Sequence, residues 1–381
     1  MDFDFTDDQQ SLRDAVQRWV DKGYGFERRR ATVEAGGFDR AAWGEIAELG
    51  LLGLAVPEAQ GGMGFGAVEA MVVMEELGRG IVVEPYAAVA LVAAPLLVSG
   101  GRAPIAAQWL AGIADGSKIV VLAHQERRAR YRLAHVETNA VELAPGEWQL
   151  SGAKSIVPAG AHAAGFIVPA RVRGAADDPT GIALFAVAPG PGVTVRGYPT
   201  QDGACAAEVQ LDQAGATLLI GPDDDAFGAL EAAIDRGIAA TAAEAVGVMD
   251  KFVALTIDYL NTRKQFGVAI GTFQALRHRI ADVKMQLELA RSMSYYATLK
   301  LGEAPAQRRR ALSQAKVQLG QSMRFVGQQC VQLHGGIGVT DEYIGSHYFK
   351  RLTMMELSYG DTLHHLGEVS ARLQDTAGVF A

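Results

Sequence analysis

Thr262-Arg263-Lys264-Gln265-Phe266-Gly267 and, about seventy residues later, Gln332-Leu333-His334-Gly335-Gly336-Ile337-Gly338 are the two stretches on which the reading of this chain turns. The first follows a long run without proline; Gly267 reads as its stop, and Gln274 starts the next helix. Arg263 offers a planar fork of donors that suits phosphate oxygens, and Phe266 offers a face for a base or ring. Taken alone, basic residues at a helix C-terminus simply complement its dipole. The second stretch follows an apolar helix containing Phe325, Val326 and Val331. Its glycines let backbone come close to a ligand, and successive N–H groups can bind an anion. Taken alone, they are a helix stop and His334 is a structural histidine.

Both stretches lie in a C-terminal segment, residues 223–381, where apolar residues recur at helical spacing over Ala226–Tyr259, Phe273–Leu301, Ala306–Leu333 and Thr362–Asp375. Four such helices predict a four-helix bundle. Before it, residues 118–222 break into short β-like runs: Ile119–Leu122, Trp148–Leu150, Phe166–Val168, Ile182–Val187 and Val193–Val195, separated by Gly, Pro and Asp. That spacing predicts a small barrel or sandwich. Residues 1–117 read as helical again. Thr6-x-x-Gln9 forms a capping box ahead of Leu12, Val16, Trp19 and Val20. A helix through Trp43 and Ile46 stops near Gly50, one over Val68–Leu77 is closed by Gly78, and an apolar one spans Ala88–Leu97. The expected fold class is therefore α+β multidomain, with a β insert between two helical halves.

The 381 residues are 49% hydrophobic and 20% charged, with a net charge of −8, which disfavours nucleic acid or an anionic membrane as the main partner. The acidic start Met1-Asp2-Phe3-Asp4 is no secretory signal, and the longest apolar run, Ala87–Val98, is too short for a membrane span. Cys205 and Cys330 stand far apart, as reduced thiols do, and a cytoplasmic location is expected. Only His364-His365 places two histidines together, and neighbouring helical residues point about a hundred degrees apart, so no metal site is expected.

Together the two opening stretches are more specific than either alone, and they resemble the acyl-CoA dehydrogenase family. The likeness extends over the whole chain and includes Pro57-Glu58 to Gly64, Gln108-Trp109-Leu110 and Gly152-Ala153-Lys154. The resemblance implies the acyl-CoA dehydrogenase fold with FAD at a subunit interface. By match, Arg263, Phe266, Gln274, Gln332, Gly335, Gly336 and Thr362 would hold the cofactor, the first six gripping the pyrophosphate and adenine of a neighbour's FAD. It also implies an acyl-CoA substrate, whose α-proton goes to a carboxylate base while the β-hydride goes to flavin. An electron-transferring flavoprotein is the implied acceptor, and a homodimer, homotetramer or mixed tetramer the implied assembly.

Three places depart from the family pattern. Where Glu-Pro-x-x-Gly-Ser wraps flavin and substrate, the chain reads His124-Gln125-Glu126-Arg127-Arg128-Ala129-Arg130-Tyr131, keeping only Glu126. That run is either a solvated charged turn or a group of arginines that meets phosphate or an acidic partner. Where Trp-x-Thr packs beside the flavin, the chain has Ile156-Val157-Pro158. Where the base precedes Gly-Thr, the chain reads Tyr359-Gly360-Asp361-Thr362, so glycine holds the base position. Asp361, Asp235 and Glu244 remain as candidate bases; each is otherwise a surface or ion-paired carboxylate. Three readings follow: an enzyme with one of these bases, a non-catalytic FAD-gripping subunit of a heteromer resembling the small subunit of pimeloyl-CoA or steroid-side-chain dehydrogenases, or a family member with changed chemistry.

Overall fold

The computed structural model describes residues 4–100 and 103–373. Met1-Asp2-Phe3 and the last two residues of the expected terminal helix, Gln374 and Asp375, lie outside them. The chain forms a helical N-terminal domain, a middle β-sheet domain and a C-terminal helical bundle. By compactness it divides into two units. One takes residues up to Arg29, Ala67–Val82 and everything from Ile238; the other takes Arg30–Gly66 and Val83–Gly237.

The helical unit begins with α1 (Asp7–Gly23), and α2 (Phe26–Glu34) follows it in the chain. The Thr6 hydroxyl accepts from the Gln9 amide at 3.2 Å while Gln9 Oε1 accepts from the Thr6 amide at 3.0 Å, so the expected capping box forms. A cap of this kind is worth about 1 kcal/mol. α1 packs on α4 (Ala67–Arg79). Gly78 is not the stop that the sequence suggested. It lies inside α4, where an added Cβ would sit 2.3 Å from the Glu244 carbonyl, so glycine there lets two helices approach closely. The partner helix is α7 (Ala226–Thr262), followed by α8 (Gln274–Lys300), α9 (Pro305–His334), α10 (Ile344–Leu357) and α11 (Thr362–Ala371). α9 is the central helix, packing against α8, α10 and α11. Its inner face carries Leu312, Ala315, Leu319, Met323 and Val326, all buried.

Gly267 also differs from expectation. α7 stops at Thr262, and Lys264–Gln265 pairs with Val268–Ala269 in a small hairpin. Its two turn residues, Phe266 and Gly267, have φ of 55° and 81°. Such a turn needs positive φ at both central positions, which glycine supplies freely and phenylalanine only at a cost.

The other unit contains α3 (Arg40–Glu48), capped by Asp39 and stopped at Gly50 with φ 74°, together with α5 (Ala94–Ser99) and α6 (Pro104–Ala114). Its sheet comprises β1 (Val120–Leu122), β2 (Asn139–Ala144), β3 (Glu147–Pro158), β4 (Gly165–Arg171), β5 (Ile182–Val187), β6 (Val193–Pro199) and β7 (Cys205–Ile220). The strand order is β1-β4-β2-β3-β7-β5, β6 pairs with β7, and β4 also pairs with β5, so the path closes on itself. Closure leaves few free edges. Phe166, Val168, Phe185 and Leu211 fill the interior. No helix among the described residues is long and apolar enough to cross a membrane.

Candidate functional site

The two glycine-bearing stretches meet. In the helical unit, the end of α7, the start of α8 and the end of α9 enclose a cleft of about 420 Å³, lined by Tyr259, Arg263, Arg279, Gln332, His334 and Gly335 among others. Arg263 reaches it from the turn after α7, where its amide donates to the Tyr259 carbonyl at 2.8 Å. Gly335 has φ 66° and ψ −145°, a conformation essentially reserved for glycine. A Cβ at Gly335 or Gly336 would meet nothing within 4 Å, so this backbone faces open space and can take a ligand.

His334 braces the wall. Its Nδ1 donates to the Cys330 carbonyl at 2.8 Å, and its Nε2 accepts from the Tyr343 hydroxyl at 3.0 Å. Burial holds its pKa below the usual histidine value, which keeps the ring neutral. It packs against Tyr259 at 4.7 Å between ring centroids. His334 is thus a structural histidine in the cleft wall.

Gln274 is exposed as the first residue of α8, immediately before Ala275 and Leu276 of the cleft lining. Phe266 stands 92% exposed at the hairpin tip, edge-on to Phe273 at 6.1 Å. A large ring held outward on a left-handed residue suits contact with another chain. Tyr259 and Arg279 were missed from sequence. The signal was there: Tyr259 precedes Arg263 by one helical turn, and Arg279 follows Ala275 by one turn.

The residues present fit the adenosine diphosphate part of FAD: two guanidinium forks, open glycine backbone and an aromatic edge share one cleft.

The family's base region forms a second cluster, in the same unit. Asp361 is the N-cap of α11, its Oδ1 accepting from the His364 amide at 2.8 Å. Thr362 is not in the cleft lining; its hydroxyl donates to Glu356 Oε1 at 2.7 Å. Glu244, buried on α7, is held by Arg351 Nε and Nη2, both 2.6 Å from Oε1. The Tyr359 hydroxyl is pushed up to about 12 by burial and by the Glu244 charge. Asp235 belongs to the other unit and is 0% exposed.

In the β-domain, Glu126 points inward. It accepts from Lys154 Nζ at 2.6 Å, the Thr138 hydroxyl at 2.7 Å and the Glu137 amide at 2.7 Å. Gly152 has its place here: an added Cβ would lie 2.6 Å from the Thr138 hydroxyl oxygen. Arg127, Arg128 and Arg130 are exposed, and Arg128 reaches Glu137 at 3.3 Å. Ile156 is half-exposed with φ 53°, and the Ser155 amide donates to the Gln125 carbonyl at 2.8 Å. Arg127, Arg128 and Arg130 stand where the family loop has its glycine and serine, and Ile156-Val157-Pro158 where it has its Trp-x-Thr, so these residues do not supply the family's contacts to the flavin half of FAD.

No group of three or more metal-ligating side chains occurs among the described residues. Two family profiles match the chain: "Acyl-CoA dehydrogenase, N-terminal domain" over residues 6–117 and "Acyl-CoA dehydrogenase, C-terminal domain" over 227–374. The chain is 30% identical over 350 residues to acyl-CoA dehydrogenase FadE12 of Mycobacterium tuberculosis, covering 89% of this chain and 88% of that one. It is 27% identical to acyl-CoA dehydrogenase FadE27 of the same organism, over 99% of this chain and 100% of that one. Among solved structures it resembles a chain of the ChsE4-ChsE5 complex from Mycobacterium tuberculosis, with TM-score 0.87, 26% identity and coverage of 99% and 100%.

Proposed function

The chain belongs to the acyl-CoA dehydrogenase family, whose members are FAD-dependent flavoproteins, and from that premise we propose that it is the FAD-gripping subunit of a two-chain acyl-CoA dehydrogenase whose other chain carries the base. The observation that carries this reading is the cleft in which Arg263, Arg279 and Gly335 converge.

In this reading the guanidinium forks of Arg263 and Arg279 hold the pyrophosphate, the Gly335 and Gly336 backbone lies against it, and Gln332 and Gln274 add polar contacts. Phe266 meets the partner chain. Bound FAD would supply the hydride acceptor for α,β-dehydrogenation of an acyl-CoA thioester. The α-proton then falls to the partner, because this chain's own candidates are engaged: Asp361 caps α11, Glu244 is clamped by Arg351, and Asp235 has no exposed surface for a substrate to reach. The likeness to a chain of the ChsE4-ChsE5 complex supports a heteromer. The reading has three domains, 1–117, 118–222 and 223–381, an electron-transferring flavoprotein as acceptor, and a cytoplasmic setting that suits the free thiols Cys205 and Cys330.

A second reading makes the chain a self-sufficient homo-oligomer with Asp361 as base and Thr362 at the cofactor. It is favoured only by the partial exposure of Asp361 and requires the α11 cap to open.

The test is the visible absorption spectrum of the chain purified alone, before and after mixed acyl-CoA is added. A colourless protein that turns yellow only on co-expression with a second subunit is the expected result. A yellow protein that bleaches with substrate would overturn the proposal in favour of the second reading.

A further inference from the structure

Position 360, where the family pattern has its base, is crowded by neighbouring side chains. Gly360 has φ 114°, and Tyr359 before it has φ 57°. A Cβ added at Gly360 would lie 2.6 Å from His365 Nε2, 3.0 Å from His365 Cδ2 and 2.6 Å from His364 Cδ2. The volume a side chain at 360 would need is therefore filled by two imidazoles from the first turn of α11.

His365 does more than fill space. It is 1% exposed and uses both ring nitrogens: Nε2 donates to the Tyr359 carbonyl at 3.1 Å, and Nδ1 accepts from the Ser313 hydroxyl of α9 at 3.2 Å. The ring thus ties the turn to α9 and holds the carbonyl that precedes Gly360. The other side of the joint is fastened as well. Lys316, one turn beyond Ser313 on α9, donates to the Met355 and Glu356 carbonyls at 2.6 and 3.0 Å, and Glu356 accepts from the Thr362 amide at 3.1 Å. A residue with a side chain at 360 needs negative φ, and reaching it would require rotating peptides that His365 holds.

We propose that His365 is a positioning residue that locks the Tyr359–Asp361 turn in a form only glycine can occupy, so that a carboxylate restored at 360 works only when His365 is also removed. This rests on the reading that position 360 corresponds to the family's base. Truncating His365 would act in two ways at once: it opens the His365 side of the volume beside residue 360, and it removes the hydrogen bond by which the ring holds the Tyr359 carbonyl, so that the turn can move to negative φ.

The experiment uses the full-length chain, with FAD and any partner it co-purifies with. Gly360→Ala, His365→Ala and the double variant are compared by thermal unfolding. The double variant is expected to melt above the sum of the two single losses, since the clash with His365 is gone while the 2.6 Å contact with His364 is common to both Gly360→Ala backgrounds. Strictly additive losses would overturn the proposal. Gly360→Glu and Gly360→Glu/His365→Ala are then incubated with butyryl-CoA in deuterium oxide, and loss of the α-proton signal is followed by NMR. Faster exchange in the double variant than in Gly360→Glu is expected; equal rates in the two would overturn the proposal. Exchange or bleaching by the wild-type chain alone would instead sink the subunit reading, and the unfolding cycle would still decide the role of His365.

Discussion

Lys154 donates to Glu126 across 2.6 Å, and the two residues are 0% and 4% exposed. Burial alone would raise the Glu126 carboxyl, but the Lys154 charge and the hydrogen bonds from Lys154, Thr138 and the Glu137 amide outweigh it and hold it below the usual carboxylate value. The one residue that this loop shares with the family pattern therefore anchors it: Glu126 pins both the turn and the strand after it. Glu126→Ala leaves Lys154 buried without its counter-ion, bonded to the Pro169 carbonyl, with burial pressing its pKa down unopposed by Glu126. We expect a loss of about 3–5 kcal/mol in denaturant unfolding. Because the folded pKa is depressed, the Glu126 contribution is present above the unfolded value near 4.3 and fades as pH falls below it. A loss under 1 kcal/mol would mean the pair is dispensable.

The cleft arginines should act on cofactor affinity and not on folding. Both are exposed. A charge-assisted hydrogen bond is worth about 1.5–3 kcal/mol, so Arg263→Ala or Arg279→Ala should each weaken FAD binding by roughly 10- to 100-fold. Arg279→Lys should recover only part, because the ammonium lacks the planar fork. Flavin fluorescence during titration of the assembled protein measures this. Unchanged affinity in both alanine variants would remove the cleft from the cofactor site.

Phe266 makes opposite predictions for the chain and for the assembly. Its ring contributes little to the isolated fold at 92% exposure, and its φ of 55° is unfavourable for phenylalanine. Asparagine tolerates that conformation. Phe266→Asn should therefore leave the isolated chain equally stable or stabilise it by about 0.5–1 kcal/mol, while weakening oligomer formation. Thermal unfolding and sedimentation read the two effects separately. A variant that unfolds earlier yet assembles normally would refute this role.

Much of this was legible in the sequence, in places where one local rule decided the matter. The Thr6 capping box, the proline-free helices and the β5 run Ile182–Val187 follow from side-chain period and turn chemistry. β2 and β7 were missed because Asn139–Ala144 and Cys205–Ile220 are dotted with Ala, Glu, Gln and Gly, which favour strands weakly; cross-strand pairing to β3 sets them. α10 was missed because its buried face uses Gly345, Ser346, His347 and Tyr348 as well as Leu352 and Met355. Within the site, the two glycine-bearing stretches were readable, and that they meet was implied by the family resemblance and not by their spacing. The role of His365 was also hidden, since it depends on Ser313, fifty-two positions away.

The polar joint beneath the Tyr359–Asp361 turn predicts how stability depends on pH. Burial, and then the nearby Lys316 charge, press His365 down to about 3. Burial likewise presses Lys316 down to about 7, against the pull of Glu356 and Asp361. In both cases the unfolded chain binds the proton more readily than the folded one. The His365 contribution to stability is therefore lost as pH falls from about 6.5 toward 3, and the Lys316 burden is relieved as pH rises from about 7 toward 10.4. Lys316→Met removes two hydrogen bonds, a cost that does not depend on pH, and also removes the Lys316 titration. Wild type should therefore gain stability relative to this variant between pH 7 and 10, read as a widening gap in urea midpoints. Parallel midpoint curves for the two proteins would show that Lys316 titrates in the fold as it does in the unfolded chain, and that the joint imposes no shift on it.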